Sequence, residues 1–112
     1  MSVILKVSDR GGTAVVALQG EIDLQNSPEL RKELLGSLAD RHNLVVDLAR
    51  VDYIDSSGVA SLIEALQTAR RLGLRLSLAA ASAAVMRVLK LARLDEVFTI
   101  HPSVEEAVDR GG

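Results

Sequence analysis

The chain reads as one α/β domain spanning residues 1–112. Its expected architecture is a mixed sheet of roughly four to five strands, opened by a hairpin, with about four helices packed against it. Three observations predict this. Two short apolar runs flank a glycine-rich turn near the start. Beyond Gly20, runs of strand length alternate with stretches of helical periodicity, the pattern of parallel strand pairs joined by right-handed crossover helices. And 112 residues, 48% of them apolar and 25% charged, suit a single core and argue against disorder.

Val3 to Val7 is the first strand, with Val3, Leu5 and Val7 alternating with Ile4 and Lys6. Ser8-Asp9-Arg10-Gly11-Gly12 is turn chemistry, the glycines supplying positive φ. Thr13 to Leu18 returns as the antiparallel partner. Gly20-Glu21-Ile22-Asp23 then leaves the sheet. Ser27 caps a helix that has Pro28 at its first position. Leu30, Leu34, Leu35 and Leu38 are its buried stripe, and Glu29, Arg31, Lys32 and Glu33 its wet face.

A polar loop, Asp40 to Asn43, leads to the central strand, Leu44-Val45-Val46-Asp47-Leu48. The next helix has Val59, Leu62, Ile63, Leu66 and Ala69 inward, and Ser61, Glu64, Gln67, Arg70 and Arg71 outward. Gly73 closes it with a left-handed residue. Arg75 to Ala80 is a further strand. Ser82 caps a helix with Val85, Val88, Leu89 and Ala92 inward, Met86 beside them, and Arg87, Lys90 and Arg93 on a solvated face. Val97 to Ile100 is the last strand. Ser103-Val104-Glu105-Glu106 is a capping box that opens a final helix to Asp109, after which Arg110-Gly111-Gly112 frays.

Composition narrows the function. A net charge of −2 with mixed signs offers no basic footprint for nucleic acid, and Tyr53 and Phe98 are the only aromatics, too few for base stacking. There is no cysteine, hence no disulfide framework or thiolate metal site, which fits a cytoplasmic protein. The opening MSVILKVSDR is too short an apolar run for a signal peptide, and no membrane-spanning stretch occurs, so no membrane insertion is expected. Phosphate-loop signatures and G-x-S-x-G are absent. His42 and His101 belong to no recognisable triad, and Asp47, Asp52 and Asp55 lack the converging partners a metal site needs. No cofactor, no metal and no catalysis are expected.

The informative stretch is Asp55-Ser56-Ser57-Gly58, two hydroxyls on a strand-to-helix turn. A helix start carries unpaired N–H groups and about half a positive charge, so it tolerates phosphate. A phosphoserine there adds about −1.5 to −2 charge without unfolding the chain. The plain alternative is that Asp55, Ser56 or Ser57 is only an N-cap.

The segment VVDLARVDYIDSSGVASLIEAL resembles the signature of the STAS domain, specifically that of the bacterial anti-sigma factor antagonists. In that family an apolar strand leads through a short loop to Asp-Ser-Ser/Thr-Gly and a helix. A second element, Gly-Glu-Leu/Ile-Asp, is matched by Gly20-Glu21-Ile22-Asp23, and the likeness covers about residues 3–108. The resemblance implies that Ser56 is phosphorylated, that Asp23 lies near it, and that Asp55, Ser57 and Gly58 shape the switch. It implies a partner as well: an anti-sigma factor that is an ATP-dependent serine kinase. The bare protein binds that partner and frees a sigma factor, the phosphorylated form lets go, and a phosphatase resets it. The chain would act as a monomer or weak dimer.

Two other readings fit the same residues. One is a structural STAS subunit of a lipid-transport ABC complex, docking constitutively through the same helix face. The other is a nucleotide-binding sensor, which the phosphate-tolerant turn permits but no cradle motif supports.

Overall fold

The computed structural model describes residues 2–111. A five-stranded sheet runs in chain order: β1 (Ile4–Arg10), β2 (Thr13–Ile22), β3 (Asn43–Ile54), β4 (Leu76–Ala79) and β5 (Thr99–His101). β1 and β2 are an antiparallel hairpin, and β2 to β5 are parallel neighbours. Parallel neighbours need crossovers. These are α1 (Ser27–Ala39), α2 (Ser56–Arg71) and α3 (Ala83–Leu91). A short helix, α4 (Val104–Asp109), closes the chain.

The two sheet faces are unequal because side chains alternate along each strand. Val16, Val46 and Leu78 point into the main core with Leu30, Leu34 and Leu38 of α1, Leu62 and Ala69 of α2, and Val85 and Leu89 of α3. Val15, Val45 and Ala79 face the other way, where Ala107 of α4 covers them. All four residues of β4 are buried, as expected of a strand covered on both sides.

Several boundaries differ from the sequence expectation. β1 begins later and continues through Arg10, so the turn is only Gly11-Gly12, both at positive φ, with the Asp9 carboxylate accepting from the Gly12 N–H at 2.9 Å. A register shift between Ile4 and Lys6 breaks the expected alternation: Val3 is buried, while Leu5 and Val7 are about half exposed. β2 does not end at Leu18; Gly20, Glu21 and Ile22 stay in the sheet beside β3. β3 is likewise longer than Leu44–Leu48. Residues 49–54, expected as a loop, pair with the end of β2. β5 covers Thr99–His101, two residues later than expected at its start.

Side-chain placement also corrects the reading in places. Asn26, not Ser27, precedes the first residue of α1 and makes no side-chain cap; Ser27 is buried against α2. Ser61, assigned to the wet face of α2, is buried, and Ala92 beyond α3 is exposed. Arg31 and Glu64 join the outer faces of α1 and α2 in a two-pronged pair at 2.9 and 2.7 Å. Arg110 and Gly111 form a hydrogen-bonded turn after α4 instead of fraying, and Gly112 lies outside the described residues.

Candidate functional site

The extra length of β2 and β3 builds the site. Ile22 pairs with Ile54 in the parallel register, so the next residues, Asp23 and Asp55, leave the sheet side by side. The Asp55 N–H donates to the Ile22 carbonyl at 3.0 Å, carrying the ladder one step past the strand ends. The sequence motifs Gly20–Asp23 and Asp55–Gly58 therefore converge at the carboxyl ends of two adjacent strands, the edge where α/β sheets present their sites.

Asp55 is the N-cap of α2. Its backbone is extended, and one carboxylate oxygen accepts from the Ser57 N–H at 2.9 Å and the Gly58 N–H at 3.1 Å. The same oxygen takes the Ser57 hydroxyl at 2.6 Å. The Ser57 hydroxyl is the largest influence holding the Asp55 carboxyl below the usual carboxylate range; partial burial opposes it, and the N–H groups of Gly58, Ser57 and Leu24 add to the lowering.

Asp23 organises that loop. Its carboxylate accepts from the Gln25 N–H at 3.0 Å and the Asn26 N–H at 3.2 Å, and its carbonyl accepts from the Ser27 N–H at 2.8 Å. Asn26 completes the turn, accepting from the Asp23 N–H at 2.8 Å and donating to the Glu21 carbonyl at 2.7 Å. Asp23 thus shapes the loop next to the serine pair.

The two serines differ. Ser57 is half-buried and bonded to Asp55. Ser56, in the first turn, is exposed, and its hydroxyl makes no hydrogen bond to any described residue. Of the N–H groups at residues 56–58, Asp55 occupies the last two, which leaves that of Ser56 for an added anion. The turn's capacity for phosphate is thus smaller than a bare helix end would offer, because a carboxylate already sits there.

Gly58 is buried, and its requirement is packing. A β-carbon there would lie 2.6 Å from Ile54 Cγ1 and 2.7 Å from Ile22 Cγ2, inside van der Waals contact with two fully buried side chains. Sequence reasoning also missed Ser61. Its hydroxyl bridges the Ser57 carbonyl at 3.2 Å and the Ser27 carbonyl at 3.4 Å, fastening the first turn of α2 to α1. Leu24 was missed as well, although an apolar residue between Asp23 and Gln25 in a loop is a visible anomaly; it is 74% exposed.

Residues 5–107 match the STAS domain family. The chain belongs to that family. Among curated STAS relatives, it is 29% identical to the anti-sigma-F factor antagonist RsfB of Mycobacterium tuberculosis, over 99% of this chain and 93% of that protein. A crystal structure of an anti-sigma factor antagonist from Mycobacterium paratuberculosis is 30% identical and superposes with a TM-score of 0.83, covering 95% of this chain and 91% of that one. The Bacillus cell-fate determinant SpoIIAA shares the STAS fold in both solved forms. The unphosphorylated form gives a TM-score of 0.80 at 22% identity over 94% and 93% of the two chains; the phosphorylated form gives 0.74 at 21% over 94% and 96%. No helix among the described residues is long and apolar enough to cross a membrane.

Proposed function

We propose that this STAS domain is a cytoplasmic anti-sigma factor antagonist, switched by phosphorylation of Ser56. The observation that carries the reading is the inequality of the serines: Ser56 offers an exposed, unengaged hydroxyl, while Ser57 is held against Asp55. The names of its relatives, and the existence of SpoIIAA in phosphorylated and bare forms, support it.

The partner is an anti-sigma factor with serine-kinase activity. Its ATP supplies the γ-phosphoryl group. The bond from that phosphorus to the leaving ADP oxygen breaks, a bond to Ser56 Oγ forms, and the hydroxyl proton passes to a base on the kinase. This chain contributes only the positioned acceptor. Before transfer, the exposed Ser56, Leu24 and the Asp23 loop form the contact that holds the kinase off its sigma factor. Afterwards a dianion occupies that contact beside the ionised Asp55, and the partner is released. A phosphatase resets the cycle. A tenfold loss of affinity requires only about 1.4 kcal/mol, well within what a misplaced dianion imposes.

The test is mass spectrometry after incubation with the cognate kinase and ATP, with partner affinity measured alongside. Phosphate is expected on Ser56. Ser56→Ala abolishes it and keeps binding, and Ser56→Asp weakens binding. Phosphate on Ser57 alone, or equal affinity of the modified and bare forms, defeats the proposal.

A further inference from the structure

Ser61 is a polar residue on the buried side of α2, where Leu62, Ala65, Leu66 and Ala69 are apolar. It is buried, and so is Ser27, the first residue of α1, which meets it across the seam between the helices. A hydroxyl withdrawn from water costs free energy unless it is bonded. Ser61 has one hydroxyl hydrogen and two carbonyls within its reach: that of Ser57 at 3.2 Å, one turn back, and that of Ser27 at 3.4 Å. The first contact is one that a serine in any helix can make. The second crosses between helices and is the informative one.

Packing does not call for this hydroxyl. Alanine would fit the same space, would bury no polar atom and is the better helix former. What the hydroxyl adds is a link between two segments of the switch. On one side, the Ser57 carbonyl belongs to the first turn of α2, the turn that carries Ser56. On the other, Ser27 ends the Asp23 loop. Its N–H donates to the Asp23 carbonyl at 2.8 Å, and the Asp23 carboxylate accepts from the N–H groups of Gln25 and Asn26. Leu24 lies inside that loop.

A second clasp holds the same seam. Arg31, one turn beyond Ser27, donates to the carboxylate of Glu64, one turn beyond Ser61, at 2.9 and 2.7 Å. That pair is open to solvent, and a water-screened pair fixes orientation weakly. The Ser61 bridge is the buried one of the two, and it is the nearer to Ser56.

We propose that Ser61 is a positioning residue for the phosphorylation switch. By bonding both carbonyls it holds the Ser56 turn and the Leu24 loop at a fixed spacing, so that the anti-sigma partner meets them as one surface. The inference rests on the Ser56 reading above. Ser61 acts only through the two segments it joins.

The experiment compares Ser61→Ala with Ser37→Ala in the full chain. Ser37 is the matched control. It too is a buried serine with a hydroxyl bonded within its own helix, but it lies about 15 Å along α1 from Ser27. Both variants should fold, each melting a few degrees or less below wild type. In amide NMR spectra of the free protein, Ser61→Ala should shift the resonances of Asp23, Leu24 and Gln25, and Ser37→Ala should not. With the anti-sigma kinase and ATP, Ser61→Ala should raise KM for the protein acceptor about fivefold, the scale of one hydrogen bond, and leave kcat unchanged. Partner affinity without ATP should fall by a similar factor. Should Ser61→Ala fail to fold, Ser61→Cys, which keeps the size and weakens the donor, reads the same bridge. Loop resonances that stay in place, or KM and affinity equal to those of Ser37→Ala, overturn the proposal even where Ser56 takes the phosphate. Absence of phosphate on Ser56 in the wild-type chain defeats the switch reading instead, and the loop resonances and partner affinity then decide whether Ser61 positions the contact.

Discussion

The Ser57 hydroxyl and the Asp55 carboxylate are 2.6 Å apart, and that bond makes two adjacent serines chemically unequal. Ser57 has one hydroxyl hydrogen, and Asp55 takes it; a phosphate on Ser57 would put a dianion against an ionised carboxylate. Ser57→Ala should therefore leave Ser56 as the modified residue. It should also raise the Asp55 pKa toward the ordinary range, because the Ser57 hydroxyl is the largest influence lowering it. Carboxyl-carbon NMR titration of wild type and variant checks the second expectation. An unmoved Asp55 titration would show that the backbone N–H groups alone set its acidity.

Asp55 should also write a pH dependence into stability. Its folded-state pKa lies below its ordinary value. The stabilisation is then fully present above the unfolded-state pKa and is lost as pH falls through the folded-state one. At neutral pH Asp55→Asn should melt a few degrees lower than wild type, because the amide can still cap the helix but the negative charge at its start is gone. That gap should hold above the ordinary carboxylate range and close progressively as pH falls through and below it. Paired melting curves across that range measure it, and a gap that widened on acidification would contradict the assignment.

Gly58→Ala should destabilise the fold, although alanine is intrinsically the better helix residue by about 1 kcal/mol. The added carbon would sit 2.6 Å from Ile54 and 2.7 Å from Ile22. Overpacking of that kind costs about 1–3 kcal/mol, and Gly58→Val should cost more. The diagnostic is coupling: combined with Ile22→Ala, the loss should be smaller than the sum of the single losses, because the same space is emptied and filled. Urea unfolding of the four proteins in that cycle decides it. Strict additivity would mean that the glycine serves the turn for some reason other than room.

How far the residues themselves disclosed all this depended on whether the deciding force was local. Helix periodicity marked the cores of α1, α2 and α3, and the caps at Ser82 and Ser103 were legible, because each is written within one turn. Asp55-Ser56-Ser57-Gly58 stood out for the same reason. The illegible features came from partners distant in sequence. Residues 49–54 stood as a loop only on the family resemblance; they are strand because β2 lies alongside to pair with them. Ser61 looks like a wet-face residue and is buried because Ser27 packs over it. The bulge between Ile4 and Lys6 defeats simple alternation, since one extra residue turns the downstream side chains to the other face.

Leu24 gives the sharpest test of the contact surface. It is 74% exposed and lies between Asp23 and Gln25, in the loop that leaves the sheet beside Asp55. Such a residue contributes little to the fold, since its side chain leaves water in neither state. An exposed apolar side chain in the loop next to the start of α2 is instead the kind of anchor that dominates a binding interface. Leu24→Ala should leave Tm within about 2 °C of wild type, as surface substitutions generally do. It should weaken binding of the anti-sigma partner by about tenfold or more. Val97→Ala is the control, because Val97 is 42% exposed but lies at the far end of α2, where its carbonyl accepts from Arg70. Equal effects of the two variants on partner affinity would move the contact surface away from the serine turn. Loss of affinity in Leu24→Ala alone would fix one edge of the interface within reach of Ser56, where a single phosphate can break it.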